Sequence, residues 1–144
     1  MSIRYNADTH TFLLATRDTS YLMKVSRYGN LLHLYYGERI PDEDLDYLIK
    51  VQDRGFSPNP NEAGNDRTFS LDYLTQEYST DGKGDYRIPS IQVINGDGSQ
   101  IFSGKVDGFQ IYKGKYTIQG MPSLHAHARE RVDSLEIRLK HHES

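Results

Sequence analysis

Thr11 to Gly37, TFLLATRDTSYLMKVSRYGNLLHLYYG, is the stretch whose reading decides the fold. Within it, TFLLAT (Thr11–Thr16) and SYLMKVS (Ser20–Ser26) are separated by the polar turn Arg17-Asp18-Thr19. Tyr21, Met23 and Val25 fall on one face at the period of two that marks a strand. Arg27-Tyr28-Gly29-Asn30 reads as a turn, where Gly29 or Asn30 takes a positive φ at small cost. In the strand that follows, Leu32, Leu34 and Tyr36 point to one side, and Leu31, His33 and Tyr35 to the other. Both sides are apolar or amphipathic, so this strand is expected to be buried on both faces. Residues 1–40 therefore read as an antiparallel meander.

The pattern changes at PDEDLDYLIKV (Pro41–Val51). Pro41 suits a first helical position, and acids follow where the helix dipole favours them. Leu45, Leu48 and Ile49 fall at i, i+3, i+4, which predicts one short helix over Asp42–Lys50. The acids Asp42, Glu43, Asp44 and Asp46 read either as a charged helix start or as a cation site. From Val51 to Pro89 the chain looks irregular, with one helical turn near Leu71–Leu74.

Strands return with SIQVI (Ser90–Ile94). Asn95-Gly96-Asp97-Gly98-Ser99 is a strong hairpin signal leading into QIFSGKV (Gln100–Val106). GFQIYKG and KYTIQG flank Lys113-Gly114-Lys115, and DSLEIRLKHH (Asp133–His142) closes the pattern. There Leu135, Ile137 and Leu139 alternate with Glu136, Arg138 and Lys140, a half-buried strand whose apolar face needs a covering layer. An amphipathic strand so near the last residue is expected of a piece of a longer chain. These strands together predict an all-β fold of two antiparallel layers.

The 144 residues suit one domain, taken as 1–144. Only 36% are hydrophobic and mean hydropathy is -0.71, so either much of the chain is surface or some apolar faces find partners outside it. The net charge of -3 and the lack of a basic stripe argue against a nucleic-acid partner. There is no cysteine, which excludes disulfides and thiolate metal sites. The first residues, MSIRY, contain no signal-peptide core, and no apolar run approaches the roughly 20 residues of a membrane span. These features lead us to expect a soluble, cytoplasmic protein without a membrane partner.

The chemistry-bearing signatures are mostly negative. GxSxG, P-loop, GxGxxG and HExxH motifs are absent, and no cofactor is expected. His125 and His127 share a strand face by spacing, but no third ligand is defined, so no metal is expected there. The irregular stretch carries Asp53, Asp66, Asp72, Glu77, Asp81 and Asp85, from which a glycosidase pair about 5–9 Å apart would be drawn. Its centre is FSPNPNEAGNDRTFS (Phe56–Ser70). A loop this long inside a small domain is usually functional. Asp53, Arg54, Asn59, Asn65, Asp66, Arg67 and Arg87 are planar groups of the kind that bind sugar hydroxyls bidentately. Phe56, Phe69, Tyr73, Tyr78 and Tyr86 supply rings beside them. The same residues also suit capped turns, a local ion pair and an aromatic core.

YGNLLHLYYG (Tyr28–Gly37), the long run from Asp53 to Val93, YKGKYTIQGMPSL (Tyr112–Leu124) and LEIRL together resemble one family over essentially the whole chain. It is the N-terminal domain of the bacterial α-galactosidases of glycoside hydrolase family 36. Departures stand at Thr75 and Ser79, where the family often has prolines, and at Asn61, where it often has an aromatic residue. The resemblance implies a galactose-mutarotase-like β-supersandwich, here its incomplete N-terminal part. The catalytic TIM barrel with its two aspartates and the C-terminal β-domain would then lie outside the chain, so the chain alone is expected to hydrolyse nothing.

The resemblance further implies a retaining enzyme that removes terminal α-galactosyl residues from melibiose- and raffinose-type oligosaccharides. It implies a homotetramer in which this loop reaches the active-site mouth of a neighbouring subunit. The positions matching the charged pair of that loop are Asp53 and Arg67, with Asp66 and Arg54 as further substrate-binding candidates, and Phe56 and Phe69 as its aromatic anchors. The partners implied are the α-galactoside, the chain's own barrel and neighbouring subunits. An independent carbohydrate-binding β-sandwich module is the alternative function; the absence of Trp weighs against it.

Overall fold

The first four strands form because short apolar runs alternate with turns that satisfy their own backbone groups. In the computed structural model, which describes residues 2–53, 55–56, 58–123 and 131–142, they are β1 (Ser2–Asn6), β2 (Thr11–Ala15), β3 (Thr19–Val25) and β4 (Leu31–Glu38). They pair in sequence order as an antiparallel sheet. Asn6 Oδ1 accepts from the N–H of Asp8 and of Thr9 at the first turn. Thr16 Oγ1 accepts from Thr19 N at 2.9 Å at the second. At the third, Ser26 Oγ accepts from Asn30 N at 3.0 Å and Gly29 takes φ 82. The meander read from the sequence is the observed one.

A bulge separates the observed faces of β4 from the expected ones. Leu22 pairs with Tyr35 but Met23 pairs with His33, leaving Leu34 as the extra residue. Beyond it the alternation slips by one. Tyr35 therefore packs with Leu34 against Leu13, Ala15, Leu22 and Leu45. Tyr36, expected beside Leu32 and Leu34, instead meets Tyr21 edge-on at 5.8 Å, on the same side as His33.

Both faces of this sheet are covered, but β4 is not buried on both sides along its whole length as expected: Leu31, Leu32 and Leu34 are buried, whereas past the bulge Tyr36 is 68% exposed. One carries Phe12, Met23 and Leu31, with Tyr5, Val25, Val106, Leu135 and Ile137 packed against them. The last three come from β5 (Gly104–Lys113) and β6 (Asp133–His141), an antiparallel two-stranded sheet that forms the second layer. Leu135 and Ile137 thus find their cover on β2–β4. Tyr5, Phe12 and Phe109 lock the layers with ring centroids 4.5–4.9 Å apart. The opposite face is covered by irregular chain: Leu45 on Leu13, Leu22 and Leu34, and Ala63, Phe69, Leu71 and Leu74 on Leu32. Each fully buried side chain of this size contributes about 1.5–3 kcal/mol. The fold is an all-β antiparallel sandwich.

Three expected elements take other forms. The helix over Asp42–Lys50 is reduced to one 3-10 turn, Asp46–Leu48. Leu45 and Ile49 are drawn into the sheet face while Leu48 stays 41% exposed, so only two of the three apolar positions find a surface. A segment this short forms no stable helix without packing along its whole stripe. The turn at Asn95–Ser99 closes as expected, with Asn95 N donating to Ser99 O at 2.8 Å. Its near flanks, however, are not strands: SIQVI makes only an isolated bridge from Ile91 to Thr80, Ile94 is 75% exposed, and QIFSGKV enters a strand only at Gly104, where β5 begins. KYTIQG is likewise not a strand. β5 pairs with β6, and Tyr116 N is taken by Ser134 Oγ at 2.8 Å. The single turn near Leu71–Leu74 is present, closed by Leu74 N on Ser70 O.

Candidate functional site

The irregular segment between β4 and β5 is ordered by its own polar groups. Ala63 N donates to Pro60 O, Gly64 N to Asn61 O and Asp66 N to Ala63 O, which winds Asn61–Ala63 into a 3-10 turn. Asn59 Nδ2 closes this loop on Asp66 O at 2.6 Å. Phe69 is buried and meets Tyr28 edge-on at 4.5 Å, so the loop's far end is held in the core. Glu62 reaches the second layer through Lys105 at 2.6 Å, and Lys105 also donates to Asn30 Oδ1 at 2.9 Å. Burial alone would push the Glu62 carboxyl up, but the Lys105 hydrogen bond, its own backbone N–H and the charges of Lys105 and Lys83 outweigh this and hold it low.

On this frame Asp53 and Arg67 come together. Arg67 Nη2 lies 3.1 Å from Asp53 Oδ1, with both side chains more than half exposed. Gly55, at φ 60, turns the chain between them. Its N–H donates to Asp53 Oδ1 at 2.8 Å and its carbonyl accepts from Arg67 Nη2 at 3.4 Å. The pair is therefore held in shape by its own turn. A carboxylate and a guanidinium held side by side at a surface present one acceptor edge and one donor edge to a polyol.

Asp66, expected in the same set, points elsewhere. Its Oδ1 accepts from Thr68 N and Thr68 Oγ1, at 3.1 and 2.6 Å, and its Oδ2 is paired with Arg27. Arg54 lies outside the described residues, as do His125 and His127. Phe69 is the anchor the sequence suggested, but Phe56 is not, being fully exposed one residue past Gly55. Among the described residues it joins none of the apolar clusters.

The other acids are absorbed by structure rather than paired with one another. Asp72 accepts from Ser70 Oγ, and Asp81 Oδ1 from Gly82 N. Glu77 accepts from Tyr21 Oη at 2.5 Å and meets His33 Nδ1 at 3.0 Å. Burial, and then the bond to Glu77, push the Tyr21 hydroxyl well up. Asp85 is buried under Arg87. Sequence reasoning misses this inward set: nothing in the spacing of Glu62 and Lys105, or of Asp85 and Arg87, distinguishes them from surface charges.

Residues 29–144 match the glycosyl hydrolase family 36 N-terminal domain. The chain belongs to that family. The family 36 chain is 44% identical over 139 residues to the bifunctional alpha-galactosidase/sucrose kinase AgaSK of Mediterraneibacter gnavus, covering 96% of itself and 15% of that protein. It is 39% identical over 139 residues to alpha-galactosidase AgaA of Geobacillus stearothermophilus, again covering 96% of itself and 19% of the relative. Among solved structures, the galactosidase domain of AgaSK superposes with a TM-score of 0.89 at 43% identity, over 96% of this chain and 19% of that one. A variant of AgaA from Geobacillus stearothermophilus in complex with raffinose gives 0.82 at 37% identity, over 91% and 18%. The family 36 chain thus spans less than a fifth of the length of these curated relatives.

Proposed function

We propose that this chain is the non-catalytic N-terminal domain of an α-galactosidase, acting on terminal α-galactosyl residues of melibiose- and raffinose-type oligosaccharides. It assembles the oligomer, a homotetramer in the cytoplasm, and lends its Asp53–Arg67 loop to the active-site mouth of a neighbouring subunit. The catalytic aspartates belong to a barrel elsewhere in the full-length protein, so the domain alone turns over no substrate.

The observation that carries the reading is the exposed Asp53–Arg67 pair, held in shape by Gly55 and followed by the bare ring of Phe56. A domain of this kind gains nothing in folding from an exposed aromatic ring and little from a solvent-facing ion pair; exposed pairs contribute about 0–1 kcal/mol. Their use lies in contacts made with something else. The raffinose complex of a relative supports the substrate class.

The test is Asp53→Ala and Arg67→Ala in the full-length protein, with oligomer mass and kinetics on raffinose measured side by side. Loss of kcat/KM by roughly 10- to 100-fold with the oligomer intact is expected, since shielded hydrogen bonds to charged groups are worth about 1.5–3 kcal/mol. Wild-type kinetics in both variants would overturn the assignment.

A further inference from the structure

Asp66 and Arg67 are neighbours in the chain but face opposite ways. Arg67 faces outward to Asp53, with its side chain 60% exposed. Asp66 faces inward, with its side chain 22% exposed, and it gathers several separate pieces of the fold. Its Oδ1 fixes the next turn through Thr68 N and Thr68 Oγ1. Its Oδ2 pairs with Arg27 in the β3–β4 turn. Its carbonyl takes the Asn59 amide from the start of the loop, and Phe69 N donates to that same carbonyl at 3.3 Å. Arg27 in turn lies over the Tyr28 ring, 4.9 Å from its centroid, and Tyr28 packs on Phe69.

We infer that Asp66 is a positioning residue for Arg67: it clamps the backbone on both sides of Arg67 to the β3–β4 turn, so that the guanidinium meets Asp53 and the substrate in one orientation. This rests on the functional reading of the Asp53–Arg67 pair above, and it replaces the sugar-contact role the sequence suggested for Asp66. Arg has many rotamers, and ordering it at the moment of binding carries an entropic cost. A backbone fixed at residues 66 and 68 removes part of that cost in advance. Arg67 needs this because its own two partners, Asp53 and Gly55 O, sit on a turn with few other ties among the described residues.

The inference makes a specific demand on a double-mutant cycle. If Asp66 acts through Arg67, its removal matters only while Arg67 is present. In the full-length enzyme, Asp66→Ala raises KM for raffinose by roughly 3- to 10-fold, the range of one hydrogen-bonded contact, with kcat within about twofold. Asp66→Ala combined with Arg67→Ala is no worse than Arg67→Ala alone. Asp66→Asn keeps an acceptor for Thr68 and restores most of the loss, and Arg27→Ala, which cuts the Asp66 tie from its other end, carries the same cycle if the alanine variant does not fold. Losses that add in the double variant, or a wild-type KM for Asp66→Ala alongside an impaired Arg67→Ala, overturn the positioning role while leaving the proposed function standing. Wild-type kinetics for Arg67→Ala would instead remove the functional reading, and this inference with it.

Discussion

Asp85 lies beneath Arg87 with both carboxylate oxygens engaged, Oδ1 at 2.8 Å from Nε and Oδ2 at 2.7 Å from Nη2. The same Nη2 donates to the carbonyls of Leu71 and Leu74 at 2.7 and 2.9 Å, and Gln76 Nε2 adds a bond to Asp85 Oδ2. The Asp85 side chain is 1% exposed and that of Arg87 43%. The pair ties the irregular segment to the turn that covers Leu32. Asp85→Ala removes the counter-charge of a part-buried guanidinium and one acceptor of the Gln76 amide, leaving both with backbone carbonyls alone. We expect a loss of about 2–3 kcal/mol, at the lower end for a broken buried pair because Arg87 keeps one wet side. Urea unfolding midpoints of the two proteins check this; a change below about 0.5 kcal/mol would be a surface-pair result and would refute it.

Glu62 and Lys105 join the loop to the second layer, and their coupling is pH-dependent. The folded Glu62 carboxyl is held below its ordinary 4.5. Near that pH the unfolded chain therefore binds more protons than the folded one. The stabilisation is complete above 4.5 and fades as pH falls through the folded value. The gap in urea midpoint between wild type and Glu62→Gln should be open at neutral pH and close in acid. A gap independent of pH would show that the ion pair contributes nothing.

Tyr21 gives the opposite sign. Burial and the Glu77 carboxylate raise its folded hydroxyl above the ordinary 10.0. Stability from this group is complete below 10.0 and is lost as pH rises through the folded value. Tyr21→Phe should flatten the alkaline decline in stability and cost about 1–2 kcal/mol at neutral pH, because Glu77 loses its bond from the hydroxyl. An unchanged alkaline limb would mean that another group governs it.

The meander is legible in the sequence because its information is local. Thr11–Gly37 carries period-two apolar residues and turn residues with defined roles, and β2–β4 follow from them. The pairing of β5 with β6 is not legible, because Lys113-Gly114-Lys115 looks like a hairpin while the true partner of Lys113, Asp133, lies far along the chain. The side of Tyr36 depends on a bulge at Leu34, which no residue there announces. At the site, family resemblance points to Asp53 and Arg67, and the geometry brings them together. That Asp66 turns inward is set by Arg27 and Thr68, contacts that sequence spacing does not encode, and the exposure of Phe56 is equally unannounced by its apolar side chain.

Gly84 tests how closely the loop packs on its neighbour. Its φ is 88, and an added Cβ would lie 2.9 Å from Pro58 Cγ and 3.2 Å from Pro58 O. Gly84→Ala therefore meets both backbone strain and a clash, for a loss of about 1–3 kcal/mol. It should also displace Pro58, just past the Asp53–Arg67 turn. In the full-length protein we expect a lower urea midpoint and a raised KM for raffinose together. A lower midpoint with unchanged KM would uncouple the Pro58 contact from the site.

Phe56 separates folding from function most cleanly. Its ring is fully exposed, with no apolar cluster among the described residues to receive it. Removing it deletes no buried area, so Phe56→Ala should leave the urea midpoint within about 0.5 kcal/mol of wild type. The ring follows directly on Gly55, the turn that shapes the Asp53–Arg67 pair. In the proposed full-length assembly it would there meet a neighbouring subunit or the sugar face. Burial of such a ring against either contributes about 1.5–3 kcal/mol. Activity on raffinose should therefore fall by roughly 10-fold or more, or the oligomer should dissociate at higher concentration. Unchanged stability with impaired activity or assembly assigns the ring to a partner. Unchanged stability, kinetics and oligomer mass together would mean that this loop faces solvent in the intact enzyme, and the Asp53–Arg67 assignment would have to stand on its own variants.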